Sequence, residues 1–266
     1  MLRTVAMFLV FLVSSGCAMQ RVNPTFSIST ADARADWRRM CSAPLPPGRM
    51  VVVVGGYADP GVAAFDVASR LRRVLGPEAS IVSVQVGLSF SMDGARRHLL
   101  EQVHRAEAAS GLSEETPVDV VAVSMGGLVA RYAAVPHPMG GGKSDWLRIA
   151  RLFTIASPHT GARMADVPSI ESRVREMRRD SGFIAELARE PRDYELLPYA
   201  RLGDWVVGEE NTAPNGLIPW WVDTPMFEAS HLQAHTDVRI LVDIARRLRG
   251  EEPVTRSPAA PLPEKS

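Results

Sequence analysis

The chain has 266 residues, of which 46% are hydrophobic and 23% are charged, so it is long enough to bury a sizeable core in one domain. Thirty basic residues balance thirty acidic residues, and both are dispersed along the sequence. This balance argues against a nucleic-acid partner, whose phosphates require an excess of basic side chains.

The N-terminal segment has the layout of a secretory signal. Arg3 is followed by an apolar run over residues 5–13, and small residues then precede Cys17. This run is too short for a membrane-spanning helix, which needs about 20 residues. We therefore predict that residues 1–16 are a signal peptide that is removed.

The small residues before Cys17 resemble a bacterial lipobox, in which the cysteine becomes the lipidated first residue of the mature protein. Ser14 stands where Leu is usual, and an ordinary signal peptide with a chance cysteine is the alternative. The resemblance implies a protein of the bacterial cell envelope, held by lipid at the outer membrane or on the periplasmic side. Ala18 follows the cysteine, and the absence of Asp there would permit sorting to the outer membrane.

Two terminal segments are expected to lie outside the core. Residues 17–49 are polar and irregular and end in a Pro-rich run, which predicts a lipidated N-terminus and linker. Residues 250–266 are also rich in Pro and charge, which predicts a disordered tail. If Cys17 is acylated, Cys41 in the linker has no disulfide partner. The folded domain is expected over residues 50–249.

Between these ends, short apolar runs alternate with segments of helical periodicity. The runs predict strands over residues 50–54, 81–86, 118–123, 152–156 and 199–202. Continuous apolar runs indicate strands covered on both faces, and their alternation with helices predicts parallel strands joined by right-handed crossovers. We therefore predict an α/β fold with a doubly wound, mostly parallel sheet, whose chemistry lies beyond the carboxyl ends of the strands.

The third predicted strand leads into the most informative stretch, which reads V-A-V-S-M-G-G-L-V-A-R over residues 121–131. A sharp turn from strand to helix lifts a serine hydroxyl above the sheet, and it tolerates only small residues two places before and after the serine. Ala122 and Gly126 meet that demand around Ser124. The amide of Met125, at the helix N-terminus, would point to where an oxyanion forms.

This stretch resembles the nucleophile elbow of the lipase and esterase branch of the α/β-hydrolase family, which commonly reads G-H-S-M-G-G-L-V-A-R. It departs from that pattern at Ala122 and Val123. The resemblance covers roughly residues 50–248 and implies a serine hydrolase that cleaves carboxylic esters, with Ser124 as the nucleophile. A small-residue turn without chemistry is the alternative. Cys and His have no metal-ligand spacing, so neither a metal nor another cofactor is expected.

The resemblance also implies an oxyanion hole. The first predicted strand ends in Gly55, Gly56 and Tyr57, where the family typically has His-Gly followed by the second oxyanion donor. By position, the amide of Tyr57 takes this role beside that of Met125. Read alone, the two glycines are only a turn.

The acid and base should lie in the last third of the chain, because the family order is Ser, then Asp or Glu, then His. Asp204 follows the fifth predicted strand and resembles the acid of the family's D-G-V-V turn, with Trp205 in place of Gly. Glu209 and Glu210 are alternatives for the acid.

His231 precedes the last predicted helix and matches the family's His loop, with His235 as the alternative base. In this interpretation His231 takes and returns the proton of Ser124. His159 lies in a segment that looks like the family's T-P-H-x-G turn, and we expect it to be structural or to lie at the rim of the site.

Residues 169–190 resemble the helical pair that follows this turn in lipase relatives, and they predict a small cap. An apolar loop between the expected acid and base contains Trp220 and Trp221, which with Trp205 are candidates for substrate binding. The alternative is that the loop packs under the His loop. A cap this short favours an open cleft and esters of short to medium acyl chains.

The expected substrate is a small-molecule or lipid ester, and the expected protein is a monomer that contacts the membrane through its N-terminal lipid. A triad of this kind does not choose the acyl acceptor, so an acyltransferase or amidase with the same residues is an alternative. A non-catalytic envelope lipoprotein with the hydrolase fold is another.

Overall fold

The computed structural model describes residues 21–113, 115–138 and 144–264, so the predicted signal peptide and Cys17 lie outside the described residues. The strands are β1 (Val51–Val54), β2 (Ile81–Val84), β3 (Val118–Val123), β4 (His137–Pro138), β5 (Ser144–Asp145), β6 (Ile149–Ile155), β7 (Glu195–Arg201) and β8 (Trp220–Val222). The helices are α1 (Thr30–Ser42), α2 (Val62–Leu75), α3 (Met92–Ala109), α4 (Met125–Ala133), α5 (Ser172–Glu176), α6 (Gly182–Arg189), α7 (Ser230–Gln233) and α8 (Val238–Leu248). Short 3₁₀ turns cover Arg163–Asp166, Glu209–Asn211 and Ala234–Thr236.

Six strands form one sheet in the order β2-β1-β3-β6-β7-β8, and every neighbouring pair is parallel. The prediction of a doubly wound parallel sheet is confirmed. β4 and β5 form a separate antiparallel ribbon. Because all six strands of the main sheet run the same way, their carboxyl ends meet at a single edge, which we call the carboxyl edge.

The core lies on both faces of this sheet. Successive side chains of a strand point to opposite faces, so Val51 and Val53 of β1 join one apolar cluster while Val52 and Val54 join the other. The first cluster packs against α1, α2 and α8. The second packs against α3, α4 and the helices α5 and α6, which lie within the predicted cap. Both faces of β1 are therefore buried from solvent, which explains its continuous apolar sequence.

The segment before β1 is folded, so the expectation of an extended linker is wrong over residues 21–49. Ser29 begins α1, and its Oγ accepts from the amide of Asp32 at 3.1 Å. Met40 is fully buried against the sheet, and the ring of Phe26 lies 6.2 Å from that of Tyr199. Cys41, assigned to the linker, lies half-buried in α1.

The expectation of a disordered tail is wrong for residues 250–264. Thr255 is buried, and its amide and hydroxyl donate to Oδ1 of Asp243 in α8 at 2.8 and 3.0 Å. The hydroxyl of Tyr199 donates to the other carboxylate oxygen at 2.6 Å. One buried carboxylate thus joins β7, α8 and the tail, because each of these donors needs an acceptor once it is removed from water.

Both terminal segments meet at β8, the last strand of the sheet. The side-chain amide of Asn23 donates to the carbonyl of Trp221 at 2.8 Å, and the indole of Trp221 donates to the carbonyl of Pro261 at 2.9 Å. The amide of Arg256 donates to the carbonyl of Thr25 at 2.9 Å. β8 was absent from the sequence-based prediction, since it is three residues long and follows a proline.

Candidate active site

Ser124 occupies the sharp turn between β3 and α4. Its backbone has φ 51° and ψ −126°, a strained conformation that residues other than glycine rarely adopt. The turn leaves no room for a side chain at Gly126, because a Cβ there would lie 2.4 Å from the carbonyl oxygen of Gly55. The amide of Ser124 donates to the carbonyl of Ile155 in β6 at 2.9 Å, so the adjacent strand holds the strained residue. The hydroxyl is thereby presented at the carboxyl edge.

His231 joins Ser124 to Asp204 through two hydrogen bonds. Its Nε2 lies 3.0 Å from Oγ of Ser124, and its Nδ1 lies 2.8 Å from Oδ2 of Asp204. A carboxylate only accepts hydrogen bonds, so Nδ1 carries the proton and donates it to Asp204. Nε2 then presents its lone pair to the serine hydroxyl. This is the tautomer that a general base requires.

Asp204 is buried and is fixed by the turn that follows β7. The preceding Gly203 has φ 74°, which lets the chain reverse as it leaves the strand. Oδ1 of Asp204 accepts from the amides of Val206 and Val207 at 3.0 and 2.9 Å. One carboxylate oxygen is therefore committed to the turn, and the other is held toward His231.

The alternative acids and the alternative base lie beside this chain of hydrogen bonds. Glu209 and Glu210 belong to the 3₁₀ turn after Asp204, and Glu210 pairs with Arg163 at 2.6 Å. His235 lines the same cleft as the serine, and burial lowers its pKa below the ordinary value. In this arrangement Asp204 orients an imidazole that is already in contact with the serine.

Of the two expected oxyanion donors, Met125 directly follows the serine and Tyr57 lies in the loop that approaches it. Met125 is the first residue of α4, so its amide has no intrahelical carbonyl to bond and remains directed past the helix end. On the other side, a Cβ added at Gly56 would lie 3.2 Å from Cβ of Ser124, which shows how closely the loop after β1 approaches the elbow. Tyr57, next in that loop, lines the cleft.

The side chain of Tyr57 links this loop to the cap. Its hydroxyl donates to the carboxylate of Glu171, which also pairs with Arg173 at the start of α5. The Arg173 guanidinium lies 4.9 Å from the Tyr57 ring centroid and donates to the carbonyl of Gly87 at 2.6 Å. The hydrogen bond from Tyr57 lowers the pKa of Glu171 and raises the pKa of Tyr57 relative to their ordinary values.

Sequence reasoning missed Glu171 and Arg173 as members of the site. Their range was assigned to the cap, but charged residues in an amphipathic segment usually face solvent, so the pattern gave no sign that they reach the loop after β1. Only the packing of α5 across the cleft reveals the contact.

A cleft of about 570 Å³ opens above the serine. Its walls are mainly apolar. They include Val62 of α2, Met164 of the first 3₁₀ turn, Val174 and Met177 of the predicted cap, Trp205 after β7 and Leu232 of α7. Trp205 lines this cleft and is 58% exposed, so it stays a candidate for substrate binding. A volume of this size is typical of sites for small organic ligands.

Trp220 and Trp221 do not line the cleft, and the expectation that they bind substrate is wrong. Both are buried in β8. Trp220 packs its ring 5.9 Å from that of Tyr199, while Trp221 packs against Ala200 and Leu202 on the opposite face. Successive strand residues point to opposite faces, so a W-W pair in a strand serves the two layers of the core.

His159 is structural, in agreement with the sequence-based expectation. Arg131 can only donate, so the 3.3 Å contact from its Nη1 leaves Nδ1 of His159 as an acceptor, and Nε2–H donates to Oγ1 of Thr154 at 2.9 Å. The ring is buried, and burial together with the Arg131 charge holds the pKa of His159 well below its ordinary value. It is a neutral part of the scaffold.

Within residues 21–113, 115–138 and 144–264, no group of His, Cys, Asp and Glu side chains has the arrangement of a metal site. Over the same described ranges, none of the helices combines the length and the hydropathy that a membrane span requires.

A scan against protein-family models finds no match to this chain, and a search of curated protein sequences finds none either. Solved structures do resemble it. The mature form of the Bacillus licheniformis lipase BlEst2 superposes with a TM-score of 0.55 at 16% identity, over 80% of this chain and 94% of that chain. Lipase B of Aspergillus fumigatus gives a TM-score of 0.53 at 16% identity, over 90% of this chain and 62% of that chain.

Phospholipase PlaB from Legionella pneumophila, in complex with thio-NAD, gives a TM-score of 0.54 at 14% identity, over 75% of this chain and 58% of that chain. At such identities the likeness establishes the fold. The chain has the α/β-hydrolase fold, with the parallel sheet and flanking helices that these structures share.

Proposed function

We propose that this protein is a serine hydrolase that cleaves carboxylic esters through an acyl-enzyme. The observation that carries the proposal is the continuous chain of hydrogen bonds from Asp204 through His231 to Ser124 at the base of an apolar cleft. The similar structures described above are lipases and a phospholipase, which supports ester chemistry on this fold.

In the acylation step, Oγ of Ser124 attacks the ester carbonyl carbon while Nε2 of His231 takes the hydroxyl proton. The carbonyl oxygen gains negative charge, and the amides of Met125 and Tyr57 are the proposed donors to it. The ester C–O bond then breaks, and His231 returns the proton to the departing alcohol oxygen. Asp204 stabilises the imidazolium formed between these two transfers.

Deacylation repeats the steps with water in place of the serine hydroxyl. His231 removes one proton from water as its oxygen attacks the acyl carbon, and the bond from that carbon to Oγ of Ser124 breaks. The proton passes from Nε2 to the serine, which restores the enzyme and releases the carboxylic acid. The overall reaction is ester plus water to acid plus alcohol.

An active-site fluorophosphonate probe and a short p-nitrophenyl ester test this proposal together. Wild type should be labelled and should hydrolyse the ester, whereas Ser124→Ala should show neither property and keep its melting temperature. The absence of both from the purified wild type would support a non-catalytic protein instead. Preferred transfer of the acyl group to an added amine or alcohol, in place of water, would support the acyltransferase alternative.

The lipid anchor is a separate proposal, supported by the apolar run and the small residues before Cys17. In a bacterial host, globomycin should cause an unprocessed precursor to accumulate, and Cys17→Ser should release the protein from membranes. A Cys17→Ser protein that matures and fractionates unchanged would remove the support for lipidation and for an envelope location.

A further inference from the structure

The carboxyl edge carries exposed apolar side chains as well as the proposed catalytic residues. Phe90 follows β2, Ile170 follows β6 and Phe227 follows β8; their exposed fractions are 91%, 98% and 101%. We define the apolar rim as Phe90, Ile170, Trp205, Met226, Phe227 and Leu232. Single exposed apolar residues are ordinary on a protein surface, but several large ones around one cleft mark an interaction site.

The rim is tied to the mouth of the cleft. Trp205 and Leu232 belong both to the rim and to the cleft wall. The hydroxyl of Ser172, at the start of α5, donates to the carbonyl of Phe90 at 2.7 Å, which joins the loop after β2 to the cap. A surface that covered the rim would therefore also cover the entrance to Ser124.

Phe227 adopts a backbone conformation that is unfavourable for a bulky residue. It has φ 67°, in the left-handed region where a bulky side chain is strained. Its loop is nevertheless pinned at both ends to the end of β7, because Thr224 Oγ1 donates to the carbonyl of Leu202 at 2.6 Å and Ser230 Oγ donates to that of Arg201 at 3.2 Å. A strained and fully exposed aromatic residue on a pinned loop points to function.

The part of the chain that the structure describes begins at the carboxyl edge. The amide of Arg21, the first residue described, donates to Oδ2 of Asp223, which directly follows β8. Four residue steps separate Arg21 from Cys17, and they span at most about 14 Å when extended. A domain of this length is about 45 Å across. A lipid on Cys17 would thus hold the carboxyl edge, rather than the opposite edge, near the bilayer.

We propose that the apolar rim docks on the bilayer that holds the Cys17 lipid, and that the substrate is an acyl ester lipid drawn from that bilayer. This inference rests on the proposed ester hydrolysis and on the proposed lipidation. The rim enters the boundary between head groups and acyl chains, where Trp205 suits an environment that is apolar on one side and wet on the other. An acyl chain then enters the cleft without crossing water.

The test uses the lipidated full chain in vesicles of phosphatidylethanolamine and phosphatidylglycerol. Two substrates are compared: a fluorogenic long-chain ester lipid within the bilayer and soluble p-nitrophenyl butyrate. The test variant is Phe90→Ser with Phe227→Asn, in which Asn suits the left-handed backbone. Leu45→Ser is the matched control, because Leu45 is also exposed but precedes β1 at the opposite edge.

The rim variant should hydrolyse the bilayer ester at least tenfold more slowly than wild type and the soluble ester within twofold of wild type, while Leu45→Ser should match wild type on both. Wild-type hydrolysis of the bilayer ester by the rim variant would overturn the proposal. So would a change in its oligomeric state, which would make the rim a contact between protein copies.

Failure of the proposed function gives a different result. In that case wild type would hydrolyse neither ester and would not react with the fluorophosphonate probe. Docking itself is then read from quenching of Trp205 by brominated phospholipids, measured as the difference between wild type and Trp205→Phe. Quenching by vesicles would support docking without hydrolysis, and its absence would overturn docking.

Discussion

Asp204 and Asp243 are two buried carboxylates with different surroundings. Asp243 accepts from Tyr199, Thr255 and Nε of Arg247, the last at 3.0 Å; Tyr199 and Thr255 are buried, and Arg247 is partly buried. Burial and the Asp243 charge raise the pKa of Tyr199 well above its ordinary value, so this partner keeps its proton. The partners of Asp204 are two backbone amides and one imidazole.

The two carboxylates differ in what their hydrogen-bond partners contact in turn. Nδ1 of His231 faces Asp204, and its far nitrogen, Nε2, contacts the serine hydroxyl at an open cleft. The donors around Asp243 lead only to further packed structure. Burial and complete hydrogen bonding therefore do not distinguish Asp204 from Asp243; the imidazole that connects Asp204 to a hydroxyl at the cleft does.

The largest effect is expected from removing His231, the imidazole that contacts Asp204. His231→Ala should lower kcat for a p-nitrophenyl ester by roughly 10⁵-fold, because the serine would have no base. His235→Ala is the matched control and should stay within about threefold of wild type, since His235 lines the cleft without contacting the serine hydroxyl. Steady-state kinetics of both variants would decide, and the reverse ranking would assign the base to His235.

Replacing one carboxylate oxygen with an amide nitrogen distinguishes the role of Asp204 from that of Asp243. Asp204→Asn should lower kcat by about 10⁴-fold with little loss of stability, because an amide donor facing Nδ1 favours the wrong tautomer of His231. Asp243→Asn should instead lower the free energy of unfolding by about 1–3 kcal/mol, since buried donors lose their acceptor. Its activity per folded molecule should match wild type. Equal effects of both substitutions on kcat would erase the distinction.

A smaller effect is expected from replacing Trp221, which lies in the core, or Trp205, which lines the cleft. Trp221→Ala should lower the free energy of unfolding by about 3–5 kcal/mol, measured with urea, because it leaves a cavity beside β8. Trp205→Ala should keep the stability of wild type and change KM and the preference for acyl length. An unaltered acyl-length profile in Trp205→Ala would remove this residue from substrate binding.

The smallest expected effect concerns the contact between Tyr57 and the cap. Tyr57→Phe should lower kcat about three- to tenfold, less than the 10² to 10³ expected for loss of an oxyanion donor, because the backbone amide remains while the loop loosens. Ser172→Ala is the control, since it removes a neighbouring cap contact that does not involve Tyr57. A wild-type kcat in Tyr57→Phe would show that the contact does not position the loop.

Sequence reasoning found the elements whose patterns are local. The elbow needs small residues within two positions of Ser124, and the acid turn needs the amides of Val206 and Val207 close after Asp204, so both can be read from short windows. Burial of the sheet on both faces also appears directly in the sequence, as the four valines of β1 show.

Contacts between distant segments could not be found in this way. The bonds from Trp221 to Pro261 and from Asn23 to Trp221 join residues far apart in sequence, and the polar, Pro-rich composition of these ends favours disorder when it is considered alone. Trp220 and Trp221 were assigned to the cleft because they lie between acid and base. Their strand has too few residues for its alternation to be recognised.

The contacts that both terminal segments make with β8 have a consequence for solubility. β8 is an end strand of the sheet, and an uncovered end strand offers its free backbone groups to strands of other molecules, which promotes aggregation. The amide of Asn23 occupies one of these groups, the carbonyl of Trp221, and residues 256–261 lie over the same strand. The Pro-rich C-terminal segment is suited to this work, because prolines lack the amide that would extend the sheet. These segments thus act as covers that keep one molecule from adding to the next.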